Sequence, residues 1–268
     1  MRGLRVTRLN KKVEKLKEIV SEMRSLAVAF SGGADSTLLL KVCHNTLPAE
    51  NFLAVVASSP IFPKSETRWA KALAKELGAR FAVIETDEMQ NKRFRRNLED
   101  HCYICKHALF SQLKSLARKN RFAWVADGTN FDDIQEERYS FRALEELQVR
   151  HPLAEAELTK AEVRELSREL SLPTCNRLPR PCLASRLSLG IEITAERMET
   201  VAKAETWLRK QGFERPIVRY HQEGLARLKL NPQDAACCLD PAMRKKINNK
   251  FRQFGFSLVT LSLEEIKA

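Results

Sequence analysis

Three short stretches carry residue types that could do chemistry. Ser31-Gly32-Gly33-Ala34-Asp35-Ser36 sets two glycines between hydroxyls and a carboxylate. Glycines let a backbone approach phosphate oxygens without a Cβ in the way, and successive N–H groups ahead of a helix form an anion cradle. Ser31 and Ser36 add hydroxyl donors, and Asp35 is a hard oxygen ligand suited to Mg²⁺. The stretch lacks the lysine of GxxxxGK[ST], and it is not GxGxxG. His101-Cys102-Tyr103-Ile104-Cys105-Lys106 holds a CxxC pair, and Pro181-Cys182-Leu183-Ala184-Ser185-Arg186 holds a third cysteine. Arg180 and Arg186 flank that cysteine, and neighbouring cations favour the reactive thiolate.

Those stretches need elements to position them. Residues 26–30 (LAVAF) read as a buried strand that ends at the glycine turn, and residues 36–44 as the helix after it. Residues 52–57, 81–85 and 122–126 repeat the strand pattern, with helices over 64–77 and 101–119 between them. Strand and helix alternating at this pace predict right-handed βαβ units and a mostly parallel α/β sheet. A helix over residues 9–24 precedes the first strand, and residues 151–153 are expected to begin a short last strand. Thr159 and Glu162 stand as a capping box ahead of another helix. After Pro179-Arg180-Pro181 the pattern changes. A helix over 194–211 with Thr194 as cap, strands at 217–220, 226–230 and 256–261, and a helix at 240–254 suggest a small α+β module. The expected division is therefore residues 1–185 and residues 186–268.

Composition narrows the class. Apolar residues make up 44% of the 268, enough for a sizeable core, and no apolar run is long enough to span a membrane. The basic N-terminal stretch lacks the apolar block of a secretion signal, so a cytoplasmic protein with no membrane partner is expected. Net charge is +12, which favours anionic partners without choosing among nucleotides, phosphates and RNA. An odd count of seven cysteines speaks against a disulfide framework and for metal binding or thiol chemistry. For CxxC alone, a structural zinc corner, a dithiol and a chance pair all stay open. Cys43 reads as core packing, as do Cys237 and Cys238 within a helix.

The strand–SGGADS–helix unit resembles the pyrophosphate loop of the N-type ATP pyrophosphatases, which include NAD and GMP synthetases, tRNA thiolases and asparagine synthetases. Asp127-Gly128-Thr129-Asn130, after the strand at 122–126, resembles their second nucleotide-lining segment. The resemblance implies that ATP is cut between its α and β phosphates to form an adenylate. It places Ser31, Gly32, Gly33, Asp35, Ser36, Ala57, Gly128 and Thr129 around the nucleotide, with Asp35 catalytic through Mg²⁺. PCLASR, together with CYICKHALF, DGTNFDD, HPLAEAELTKAEVRELSRELSLPT and VRYHQEGLARLKL, is similar to the LarE family of ATP-dependent sulfur transferases.

That second resemblance implies a pyridinium-3,5-dicarboxylate mononucleotide as substrate, adenylated and then converted to a thiocarboxylate for a nickel-pincer nucleotide cofactor. It implies Cys182 as the catalytic sulfur residue and Arg186, Arg219 and Arg227 as binders of the anionic ligand. Cys102, Cys105 and Cys182 become ligands of a [4Fe-4S] cluster that carries sulfide from a sulfur donor; the alternative is sacrifice of the Cys182 sulfur. The cluster is preferred because Cys102 and Cys105 have no task in the sacrificial route. The family further implies a homo-oligomer. A tRNA thiolase would share the ATP chemistry, but no RNA-binding module is recognisable, and nucleic acid is not the expected partner. An ammonia-using synthetase would not need three such cysteines. A non-catalytic scaffold would not need Ser31, Asp35, Ser36 and Cys182 intact. Two departures stand out: no Arg-Pro-Gly precedes Arg142, and Cys175 occupies a position that is tryptophan in many members.

Overall fold

A computed structural model describes residues 2–135, 139–177 and 182–264; Arg180 and Pro181 lie outside them. The elements run α1 (Arg2–Met23), β1 (Leu26–Ala29), α2 (Ala34–Thr46), β2 (Phe52–Ser58), α3 (Lys64–Glu76), β3 (Phe81–Glu85), α4 (Lys92–Arg95), α5 (His101–Lys119), β4 (Trp124–Ala126), α6 (Phe131–Gln135), α7 (Tyr139–Glu146), α8 (Pro152–Glu155) and α9 (Lys160–Glu169). They continue with α10 (Ala195–Lys210), β5 (Ile217–Tyr220), β6 (Leu225–Lys229), α11 (Pro232–Cys237), α12 (Pro241–Phe254) and β7 (Leu258–Leu261). The chain forms two compact units, Met1–Asp87 with Cys102–Arg180, and Glu88–His101 with Pro181–Ala268.

The first unit is α/β. Its sheet has the order β3-β2-β1-β4, and every pairing is parallel. Alternation along the strands builds a core on each face, as a two-residue period requires. Leu26, Val28, Ala54 and Val56 face α1, α2, α3 and α9, where Leu16, Leu39, Leu73 and Val163 are buried. Ala27, Leu53, Val55 and Ile84 face Phe110 and Leu113 of α5 and Leu144 of α7. Cys43 lies fully inside the first core, and burial pushes its thiol up to about 12.

Residues 151–153 do not start a strand. Arg150, just before them, makes an isolated bridge to Ala126. Pro152 then opens α8, with the Glu155 N–H donating to the His151 carbonyl. Proline suits the first helical position, where its fixed φ fits and its missing N–H is not needed. The capping box at Thr159 and Glu162 is present in full.

The second unit holds a three-stranded sheet, β5-β6-β7, with the first pair antiparallel and the second parallel. Its core joins Val201 and Leu208 of α10 to Val218, Leu228, Ile247, Phe251 and Phe256. Helix α11 was not foreseen; Asn231 caps it and Pro232 opens it. Cys238 packs against this core, whereas Cys237 is exposed. Residues 88–101 pack here because Asn97, fully buried, donates to the carbonyls of Leu187, Ser188 and Ile191.

Glu205 of α10 anchors this unit. Its carboxylate accepts from Arg186 Nε at 2.8 Å, Arg209 Nη2 at 2.9 Å and the Val218 N–H at 3.2 Å. Removing one partner of a buried pair strands the other charge. Glu205→Ala is therefore expected to lower stability by about 3–5 kcal/mol in urea unfolding. A loss below about 1 kcal/mol, the range of an exposed pair, would show that Arg186 does not depend on it.

Candidate functional site

In an open α/β sheet a crevice forms at the carboxyl ends of the strands where the chain turns from one side to the other. Here β2 lies on one side of β1 and β4 on the other. A cavity of about 350 Å³ opens there, lined by Ser31, Gly33, Asp35, Ser36, Ala57, Gly128 and Thr129 among others. Seven of the eight residues placed around the nucleotide from sequence thus line one cavity. Gly32 does not line it; its role is the shape of the turn.

Gly33 is the N-cap of α2 and makes no side-chain cap bond, so the first-turn N–H groups carry the helix's positive end toward the cavity. Ser31 Oγ lies 3.1 Å from Ser36 Oγ, and Ser36 Oγ donates to the Gly33 carbonyl at 3.3 Å. Gly128 must be glycine for a steric reason: a Cβ there would meet the backbone N of Ser36 at 2.6 Å. The DGTN segment and the phosphate turn can approach only without a side chain between them.

Asp35 Oδ1 accepts from Asn130 Nδ2 at 3.0 Å. Burial lifts its carboxyl above the usual range, the Asn130 bond opposes this, and the charge of Asp133 adds to it. Asp133 also lines the cavity. Two carboxylates beside a phosphate cradle are a donor set that fits a hard divalent cation such as Mg²⁺. Burial works against the Asp127 carboxylate too, but the hydrogen bond and charge of His151 and the Thr129 N–H outweigh it and hold this group below the usual range. His151 Nδ1 is 2.7 Å from Asp127 Oδ1, and Thr129 Oγ1 donates to Asp127 Oδ2 at 2.9 Å. The segment is therefore rigidly tied.

Sequence reasoning missed Lys106, Glu66 and Asp133, all of which line the cavity. Lys106 could have been found. It follows the CxxC, and Cys102, Cys105, Lys106, Leu109, Phe110 and Leu113 form one i, i+3, i+4 stripe of α5. The last four line the cavity, so the two thiols continue that wall by one turn. Both are partly exposed. Among the described residues, no group of three or more His, Cys, Asp or Glu side chains converges to hold a metal.

Cys182, Arg186, Arg219 and Arg227 belong to the second unit. The Arg186 guanidinium, expected beside the thiol, is engaged by Glu205. Arg219 and Arg227 stand directly opposite each other on β5 and β6. Burial, with the like charges of Arg186 and Arg227, holds the Arg219 guanidinium below its ordinary value. His221 shares the face of Arg219, two residues on, and its Nδ1 lies 2.9 Å from Ser188 Oγ. Burial, Arg227 and Arg219 push the imidazole below its usual range. Crowded cations of this kind suit a multiply charged anion.

No helix among the described residues is long and apolar enough to cross a membrane. The NAD synthase family model matches residues 8–120. The chain is 37% identical to the uncharacterized protein slr1717 of Synechocystis sp. over 96% of this chain and 95% of that protein. It is 34% identical to the pyridinium-3,5-bisthiocarboxylic acid mononucleotide synthase of Lactiplantibacillus plantarum over 91% of this chain and 87% of that enzyme. A GMP synthase of Chlamydia caviae is 25% identical over 72% of this chain and 41% of its own length.

Proposed function

The chain belongs to the LarE family, that of the pyridinium-3,5-bisthiocarboxylic acid mononucleotide synthase, and from that premise we propose that it thiolates the carboxylates of a pyridinium-3,5-dicarboxylate mononucleotide through an acyl-adenylate. The observation that carries this reading is the cavity at the ends of β1, β2 and β4, where an uncapped helix N-terminus meets Asp35, Asp133 and Lys106.

A carboxylate oxygen attacks the α-phosphorus of ATP, the bond to the β-phosphate breaks, and pyrophosphate leaves. The Gly33 N–H, the first turn of α2 and the hydroxyls of Ser31 and Ser36 receive the charge that grows on the leaving group. Asp35 and Asp133 would hold Mg²⁺, which offsets phosphate charge when bound. Gly128 and Thr129 line the cavity beside the turn, with Gly128 packed against Ser36. A sulfur nucleophile then attacks the acyl carbon and AMP departs, so the poor carboxylate leaving group has been exchanged for a good one. Arg219 and Arg227 would bind the substrate's phosphate or its second carboxylate.

Cys182 carries the sulfur chemistry in this reading. Cys102 and Cys105, one turn beyond the cavity-lining part of α5, are the other candidate thiolates. A [4Fe-4S] cluster on the three would supply an open iron for sulfide. The enzyme is expected to work in the cytoplasm as a homo-oligomer. Pyrophosphate release in the presence of ATP and Mg²⁺ should rise on adding the pyridinium mononucleotide and not on adding bulk tRNA. Release that responds to tRNA alone would overturn the substrate assignment.

A further inference from the structure

Gly32 lies in the left-handed region, at φ +69°, and a Cβ on it would meet Trp69 Cδ1 at 2.9 Å. The indole thus occupies space that only a glycine leaves. Trp69 Nε1 donates to the Gly32 carbonyl at 2.9 Å. The next peptide group is trans, so its C=O and N–H point in opposite directions. Anchoring the Gly32 carbonyl on Trp69 therefore aims the Gly33 N–H the other way. Among the described residues that N–H reaches only Ser31 Oγ, at 3.3 Å, a long bond that a phosphate oxygen would improve. Gly33 and Ser31 both line the cavity.

Trp69 is itself held. The Arg177 guanidinium lies 4.4 Å from its ring centroid. Arg177 Nη2 also donates to Glu66 Oε2 at 2.6 Å, and both side chains are more than four-fifths buried. A buried ion pair is weak evidence of stabilisation, so its position is the more telling feature. Glu66 lines the cavity, where a carboxylate without its partner would repel a triphosphate.

We propose that Trp69 fixes the Gly32–Gly33 peptide so that its N–H serves the triphosphate, and that Arg177 is the positioning residue that holds Trp69 and neutralises Glu66. This rests on the reading that the turn takes the β and γ phosphates, and it needs no acceptor substrate. Equilibrium binding of α,β-methylene ATP with Mg²⁺ is measured against binding of AMP. Trp69→Phe, which keeps a ring and loses the N–H, is expected to weaken the triphosphate analogue about tenfold, the value of one good hydrogen bond to a charged group. AMP should change by less than about twofold, since one bond to absent phosphates is at stake. Arg177→Ala, which loses both the hold on Trp69 and the partner of Glu66, should weaken the analogue more than Trp69→Phe does, and adding Glu66→Gln should restore the part due to charge and leave a loss close to that of Trp69→Phe.

Equal losses for analogue and AMP, an unaffected Trp69→Phe variant, or no rescue by Glu66→Gln would each overturn the proposal. If Trp69→Phe does not fold, Arg177→Ala with and without Glu66→Gln decides. An unaltered chain that binds AMP but not the analogue would instead refute the reading of the turn. Failure to form a thiocarboxylate leaves these measurements readable.

Discussion

Asp35→Ala and Asp35→Asn are expected to lower pyrophosphate release by about 10³-fold or more, because each removes a carboxylate that the proposed mechanism uses to hold Mg²⁺ where phosphate charge develops. The folded state should survive both. Asn at this position can still accept from Asn130 Nδ2, which now lies 3.0 Å from Asp35 Oδ1. The unfolded chain releases the Asp35 proton near the ordinary value of 3.8, whereas the folded chain holds it to higher pH through burial and the charge of Asp133. The unfolded state therefore loses its proton first, and the carboxylate subtracts stability at every pH above that window. Without divalent cations, Asp35→Asn should thus raise Tm at neutral pH while activity disappears. A folded variant that retains pyrophosphate release within about tenfold of the unaltered chain would remove Asp35 from the chemistry.

Cys182→Ala is expected to separate the two halves of the reaction. Pyrophosphate release should persist, since the glycine turn, Asp35 and Asp133 all belong to the other unit, while thiocarboxylate formation falls by about 10³-fold or more with loss of the residue proposed for the sulfur chemistry. The unaltered chain then distinguishes the two fates of the sulfur. If Cys182 serves as a cluster ligand and its own sulfur is not consumed, the anaerobic protein with ATP, Mg²⁺ and sulfide should make more than one product per chain and keep its mass. If Cys182 gives up its own sulfur, product stops at one per chain and the mass falls by about 34 Da as dehydroalanine forms on the cysteine modification route. The first outcome is expected, because Cys102 and Cys105 have no task in the sacrificial route. Full product formation by Cys182→Ala would exclude this residue from sulfur transfer.

What the sequence determined by itself is what local rules govern. Strand periodicity sorts Leu26 and Val28 to one face and Ala27 to the other, because a strand's side chains alternate whatever surrounds it. The SGGADS turn, the Thr159–Glu162 box and the Asp127–Asn130 segment are likewise short-range, each defined within a few residues. The expected strand at 151–153 failed for a reason also local: Pro152 suits a helix start better than a ladder. Tertiary structure alone decided the rest, since it depends on contacts between residues far apart in the chain. No spacing rule brings Trp69 onto Gly32, Arg177 onto Glu66, or Asn97 onto the carbonyls of residues 187–191. Nor could sequence show that Glu205 would take the Arg186 guanidinium. A buried charge seeks its partner across the core, and which partner it meets is set by the packing of helices and strands rather than by its neighbours along the chain.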